Sequence, residues 1–260
     1  MPQLPEGDSD CGKLFEKRMK MAFGRIAIIP IEGPIGGMYF PLLEEIRERR
    51  LSMIEKYLEQ AKRSRRIKAV ILKINSPGGK VYPCKRLVER VKEIKKFTVA
   101  QIEEIGTSGA YWIASWCDVI LADDFSLVGG IGATSIKLDL SDLMRKLGIN
   151  FDSISSGKYK ELGSPFRKST EEERKIREEE LRLVTQVFVQ DIKTRRKLKR
   201  EDEVLQGRVY RGREAKDVGL IDDLGGERKA IELCRQRTGA KRILNFKEKM
   251  ERGLLSRLFR

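Results

Sequence analysis

Apolar runs rich in β-branched residues recur along this chain, each followed by a short connection and then an amphipathic stretch. Residues 25–31 read as a strand, with Ile26, Ile28, Ile29 and Ile31 in a nearly continuous apolar run. Residues 41–64 read as a helix, because Leu42, Leu43, Ile46, Leu51, Ile54 and Leu58 recur at helical spacing between charges. A second strand, Ile67 to Ile74, ends at Asn75-Ser76-Pro77-Gly78-Gly79. A helix over 81–96 follows, then a strand over 98–103 that leads into a helix starting at Ser108. Further on come a strand over 118–122, the glycine-rich Val128-Gly129-Gly130-Ile131-Gly132 and a helix over 137–147. A strand over 150–155 delivers Lys160, and a long charged helix covers 170–200. Its start, Ser169 to Glu173, offers capping groups and acids at the positive helix end. Strands alternating with helices through short connections imply an α/β fold built on a parallel sheet with crossover helices. With 260 residues, the chain can form one such domain with a full core, with or without appendages.

The chain contains no histidine. A serine nucleophile here cannot use imidazole as its base, and a lysine is the best substitute. Zinc binding is disfavoured too, because Cys11, Cys84, Cys117 and Cys234 are scattered without metal-ligand spacing. Cys84 and Cys117 lie in apolar contexts and read as small buried residues. No metal or other cofactor is expected. The formal net charge of +15 favours anionic partners. No motif for nucleic-acid recognition accompanies it, so nucleic acid is not an expected partner. No run of about 18 apolar residues is present, and the acidic first ten residues do not resemble a signal peptide. The expected location is cytoplasmic or peripheral to a membrane, with anchoring only if a further amino-terminal segment exists.

Three segments carry candidate chemistry. Gly78 and Gly79 follow a parallel strand, where glycine lets the backbone approach a ligand and lets amides face a developing oxyanion. Ser108 follows the next strand at a helix start, beside unpaired amides and the positive helix end. An N-cap serine is the ordinary alternative there. Lys160 lies in Ser156-Gly157-Lys158-Tyr159-Lys160, and a lysine acting as general base has to be desolvated. Lys158 is a rival that periodicity does not separate from Lys160.

Four ordered motifs carry a resemblance over about residues 24–240. They are Asn-Ser-Pro-Gly-Gly at 75–79, Ser-Gly-Ala-Tyr-Trp at 108–112, Ser-Gly-Lys-Tyr-Lys-Glu-Leu-Gly-Ser-Pro at 156–165 and Gly-Arg-Val-Tyr-Arg-Gly-Arg-Glu-Ala-Lys at 207–216. Together they resemble the signal peptide peptidase A type of serine protease, in the Clp protease and crotonase superfamily. The resemblance implies a crotonase-like α/β spiral with a mostly parallel sheet, and a homo-oligomer with shared sites. It implies Ser108 as nucleophile, Lys160 rather than Lys158 as general base, and the Gly79 and Gly109 amides as oxyanion donors. The implied substrates are cleaved signal peptides or other apolar peptides near a membrane. Ala110 stands where the family has a second glycine after the nucleophile. Gly130 replaces a serine that helps hold the lysine, leaving Thr134 or Ser135 as substitutes. The family's amino-terminal anchor is not seen.

The expected organisation is a flexible tail over 1–22, a peptidase domain over 23–241 and a basic amphipathic segment over 242–260. In the last, Phe246, Met250, Leu254, Leu255, Leu258 and Phe259 interleave with Lys247, Lys249, Arg252, Arg257 and Arg260. That pattern suits an anionic membrane surface or docking on a neighbouring subunit. The implied activity is serine endopeptidase. The alternatives are an acyl-CoA hydratase or isomerase of the same superfamily, and an inactive membrane-associated assembly protein.

Overall fold

The computed structural model describes residues 24–36 and 41–250. The chain divides into two compact units. One holds the residues up to Ile131 and from Asp191 onward, the other Gly132–Gln190.

In the first unit, one sheet contains β1 (Arg25–Glu32), β2 (Ile67–Ser76), β3 (Phe97–Thr107), β4 (Val119–Ala122), β5 (Leu127–Gly129), β6 (Val209–Arg211), β7 (Asp223–Leu224) and β8 (Arg242–Asn245). The order is β6-β5-β3-β2-β1-β8, with β4 beside β3 and β7 beside β4. Every pairing is parallel except β5 with β6. Long β3 serves two neighbours along one edge: Val99–Ile102 pair with β4, and Ile105–Thr107 with β5.

The central strands are apolar on both faces because both faces are covered. On one face, Ile26, Ile28, Ala69, Ile71, Val99 and Leu121 pack with Ala230 and Cys234 of the carboxyl-terminal helix Glu227–Thr238. The other face, with Ala27, Ile29, Val70 and Leu72 fully buried, lies beneath α1 (Pro41–Arg63) and α3 (Gly109–Ser115), and α2 (Val81–Lys92) packs against both of these helices. These helices contribute Leu51, Ile54 and Leu58, then Leu87, Val88 and Val91, then all of α3. The expected parallel α/β architecture is therefore the one observed.

Helix α2 stops at Lys92, short of the expected 96. The Lys96 ammonium donates to the Ser64 carbonyl at 2.6 Å and to that of Ala61, so the chain turns early into β3. The glycine-rich segment yields β5, a strand too short for periodicity to reveal. Cys84, Cys117 and Cys234 are buried free thiols, as expected of the first two.

The second unit contains α4 (Ser141–Lys146) and most of α5 (Glu171–Arg195). The expected strand over 150–155 does not form, and residues 150–155 are exposed throughout. The Ser153 and Ser155 hydroxyls donate to the Glu161 carboxylate, and Phe151 stacks on Phe166 at 4.5 Å. Local side-chain bonds thus replace the ladder that a strand would need. Helix α4 is shorter than the expected 137–147. Asp139 accepts from the Ser141 amide and hydroxyl, and the Leu140 amide donates to the Pro165 carbonyl.

Phe246 and Met250, read from sequence as part of a stripe facing a membrane or a neighbouring subunit, are buried within this chain. Phe246 stacks on Tyr57 of α1 at 4.3 Å, and its amide donates to the Ile28 carbonyl. Leu254, Leu255, Leu258, Phe259 and the tail over 1–22 lie outside the described residues. No helix among the described residues is long and apolar enough to cross a membrane.

Because Phe246 closes the core beside α1, Phe246→Ala is expected to cost about 3–5 kcal/mol in urea unfolding. A change below about 1 kcal/mol would return Phe246 to the surface stripe.

Candidate active site

The site begins with what parallel pairing does to strand ends. Ser76 of β2 pairs with Gly106 of β3, and Thr107 of β3 pairs with Gly129 of β5. The segments that leave these strands, Pro77–Gly79, Ser108 and Gly130, therefore emerge at one carboxyl edge, where α/β sheets place their ligands.

Ser108 is the single residue between β3 and α3, with φ 54° and ψ −129°. A non-glycine residue there is strained by about 1–3 kcal/mol, and such turns present a nucleophile at the top of a sheet. The backbone is held on both sides: the Ser108 amide donates to the Gly129 carbonyl at 2.8 Å, and the Ser108 carbonyl accepts from the Trp112 amide at 3.0 Å. The hydroxyl makes no capping bond to α3, which removes the ordinary reading of Ser108 as an N-cap. Ser108 is half-buried, so its hydroxyl is both supported and reachable.

Gly78 and Gly79 lie against this turn. Gly78 has φ +89°, and a methyl built on it would sit 2.7 Å from the Gly109 nitrogen and 2.8 Å from Ser108 Cβ. Only glycine permits that approach. The next turn of backbone is fixed by Ile35, whose amide donates to the Gly78 carbonyl and whose carbonyl accepts from Lys80, each at 2.8 Å. That pairing leaves the Gly79 amide without a backbone acceptor among the described residues. Gly109 opens α3, where the amide has no intrahelical partner. A methyl on Gly109 would strike the Cys84 side chain and lie 3.7 Å from the Gly79 nitrogen. Ser108, Gly79 and Gly109 are thus brought together. Burial pushes the Cys84 thiol up to about 12, which makes it inert packing.

Helix α3 is buried throughout, and polar contacts fasten its rim. The Trp112 indole donates to Asp191 at 2.7 Å, and the Tyr111 hydroxyl to the Leu220 carbonyl at 2.7 Å. Gly130, read from sequence as a missing hydrogen-bonding serine, has φ +62° and donates its amide to the Arg208 carbonyl at 2.9 Å. Its place beside Ser108 demands a left-handed backbone, for which glycine is best suited.

Lys160 belongs to the second unit and is exposed in a turn closed by its amide on the Gly157 carbonyl at 3.1 Å. The two candidate lysines differ sharply. Lys158 is ion-paired with Glu172, which holds its ammonium in the charged form and raises its pKa. Lys160 makes no side-chain hydrogen bond or ion pair among the described residues. Of the suggested substitutes for a serine at 130, Ser135 is bound by the Arg177 guanidinium at 2.9 Å and Thr134 is exposed.

Glu161, the neighbour of Lys160, accepts from Ser153 and Ser155 and from Arg167 Nε at 3.0 Å. Arg167 also binds Glu173 at 2.9 Å and the Glu161 carbonyl at 3.3 Å. Glu173 forms a reciprocal cap with Thr170: Thr170 N to Glu173 Oε2 at 3.0 Å, and Glu173 N to Thr170 Oγ1 at 3.2 Å. The Thr-x-x-Glu pattern could have announced this capping box from sequence. Nothing in the sequence marks Arg167 comparably.

Hydrogen bonds from Ser153, Ser155 and Arg167 bring the Glu161 carboxyl down to about 2, and Arg167 with the Thr170 amide does the same for Glu173. Both values lie below the ordinary carboxylate range. Their contribution to order is therefore complete above that range and lost as pH falls through about 2. A carboxyl NMR titration is expected to show both still ionised at about pH 4. Midpoints near 4.3 would contradict the network. At the other centre, Gly78→Ala is expected to destabilise by at least about 1 kcal/mol in urea unfolding, because φ +89° excludes a methyl. Unchanged stability would show that the loop is free to move away from Ser108.

Residues 90–241, which include Ser108 and Lys160, match the model of Peptidase family S49. A Methanocaldococcus jannaschii protein named as a protease is 36% identical over 69% of this chain and 59% of its own length. The chloroplastic serine protease SPPA of Arabidopsis thaliana is 32% identical over 82% of this chain and 32% of its own. An Enterococcus faecium protein named as signal peptide peptidase SppA is 30% identical over 67% of this chain and 52% of its own. The chain thus spans between about a third and three fifths of these relatives' lengths. A mutant of the 1510-N membrane-bound stomatin-specific protease shares the fold, with a TM-score of 0.54 at 12% identity over 86% of this chain and 98% of that one. The family model covers more than half of the sequence, and the four ordered motifs point the same way: this chain belongs to Peptidase family S49.

Proposed function

We propose that this chain is a serine endopeptidase working through a Ser108–Lys160 dyad. The observation that carries the reading is the strained turn at Ser108, with its hydroxyl unused for capping and the Gly79 and Gly109 amides beside it. Membership of a peptidase family supports the same chemistry. Ser108 Oγ attacks the scissile carbonyl while its proton passes to neutral Lys160. The two glycine amides donate to the oxyanion, the kind of interaction that commonly contributes most to acyl transfer. The tetrahedral adduct then collapses, and the proton on Lys160 goes to the leaving amine. Lys160 next takes a proton from water, which attacks the acyl-enzyme, and returns that proton to Ser108 Oγ as the acyl–oxygen bond breaks.

Lys160 is preferred to Lys158 because Glu172 keeps Lys158 charged. A lysine base works neutral, and burial is what favours the neutral form. Lys160 is exposed in the single chain, so the working enzyme covers it on assembling into a homo-oligomer. The substrate class is apolar peptides, including cleaved signal peptides near a membrane surface, in keeping with the name of the Enterococcus relative.

With a quenched apolar peptide, Ser108→Ala and Lys160→Ala are each expected to lower kcat by at least about 10³-fold. Lys158→Ala is expected to stay within about threefold of wild type. An acylating probe should label Ser108 in wild type and at least about 10³-fold more slowly, at a still measurable rate, in Lys160→Ala. Peptidase activity retained in both dyad variants would sink the mechanism. Turnover of an enoyl-CoA in place of peptide would move the chain to the hydratase class.

A further inference from the structure

Granting the Ser108–Lys160 dyad, we propose that Arg167 is a positioning residue for the lysine. It ties the residue after Lys160 to the capped first turn of α5. The need for such a device is plain in the local structure. Residues 150–170 form no strand or helix, and no ladder holds the lysine segment. Gly130 has no side chain with which to orient a lysine. Yet the residues on both sides of Lys160 are fastened: Lys158 and Tyr159 to Glu172, and Glu161 to Arg167.

Arg167 is the centre of that arrangement. Its Nε meets the Glu161 carboxylate at 3.0 Å, and its Nη2 meets the Glu161 carbonyl at 3.3 Å. The second bond fixes the main chain next to Lys160, which a side-chain contact alone would not do. On its other side, Arg167 meets Glu173, whose side chain is only 4% exposed. A buried carboxylate requires a partner, so Arg167 is held in place from within. Glu173 is itself fixed by the reciprocal cap with Thr170. The chain of restraint runs from the capped helix start through Glu173 and Arg167 to the Glu161 backbone, one residue from Lys160. Four acceptor groups on one side chain, the Lys168 carbonyl at 3.2 Å among them, need the planar guanidinium fork, and a lysine ammonium would satisfy fewer of them.

The test uses the full chain, steady-state peptide cleavage and the rate at which an acylating probe labels Ser108. Arg167→Met is expected to lower kcat by about 10²-fold with KM changed less than about threefold. Arg167→Lys should recover part of that loss, and Glu161→Gln, which keeps an acceptor, should lose less than Arg167→Met. In a Lys160→Ala background, Arg167→Met should slow probe labelling no further, because it acts through the lysine. Full kcat in folded Arg167→Met would overturn the proposal while leaving the dyad intact. So would an equal further fall in the Lys160→Ala background, which marks a general structural role. If Lys160→Ala alone turns over like wild type, the dyad itself fails and the role of Arg167 falls with it. Should Arg167→Met not fold, the same comparisons between Arg167→Lys and Glu161→Gln decide the matter.

Discussion

The serine centre depends on one backbone constraint: Ser108 has to turn the chain from β3 into α3 within a single residue, at φ 54°. That turn is unfavourable in isolation, so its surroundings have to enforce it. Enforcement comes from the sheet. Pairing of β3 with β2 and with β5 sets where the strand ends, and the Gly129 carbonyl takes the Ser108 amide as the chain leaves. The start of buried α3 takes over on the far side through the Trp112 amide. Gly78 and Gly79 can then close on the turn from β2 because neither carries a side chain. The strained serine, its adjacent amides and the parallel register are one physical object.

Much of that sheet was legible because burial on both faces writes itself into sequence. Ile26 to Ile31 and Ala69 to Leu72 are apolar without alternation, and each is bounded by charged residues. Such runs have few other uses in a chain with 36% charged residues. The failures share a cause of the opposite kind. Residues 150–155 look strand-like, yet their serines found a carboxylate at Glu161 and their phenylalanine an aromatic at 166. Both partners lie several residues away, beyond what local periodicity can report. The burial of Phe246 is hidden from sequence for the same reason, since its stripe is amphipathic and only the tertiary position of Tyr57 makes it core.

At the site, position was easier to read than state. Ser108 could be placed at a strand-to-helix junction, whereas its dihedral angles could not. Lys158 and Lys160 were indistinguishable by spacing, because what separates them is the Glu172 carboxylate on a helix a dozen residues further on. Gly130 reads from sequence only as a missing lysine-holding serine, since a sequence reading weighs a residue by its side chain. In the fold Gly130 also supplies a left-handed backbone beside Ser108, together with a donated amide.

The two halves of the proposed chemistry are held by different forces. Ser108 is positioned by parallel strands, buried apolar contacts and glycine sterics, none of which responds much to salt or pH. The Lys160 segment is positioned by ion pairs and charge-assisted hydrogen bonds on a loop. Arg167 and Glu161 there are partly solvated, and such pairs are weakened by ionic screening. A rigid frame for the proposed nucleophile and a conditionally ordered one for the proposed base are a sensible division. Strain at the serine needs a stiff frame to persist, whereas a lysine base has to change its solvation to work. An exposed loop anchored at Glu161, with Lys160 in no ion pair among the described residues, suits a side chain that has to be covered in order to work.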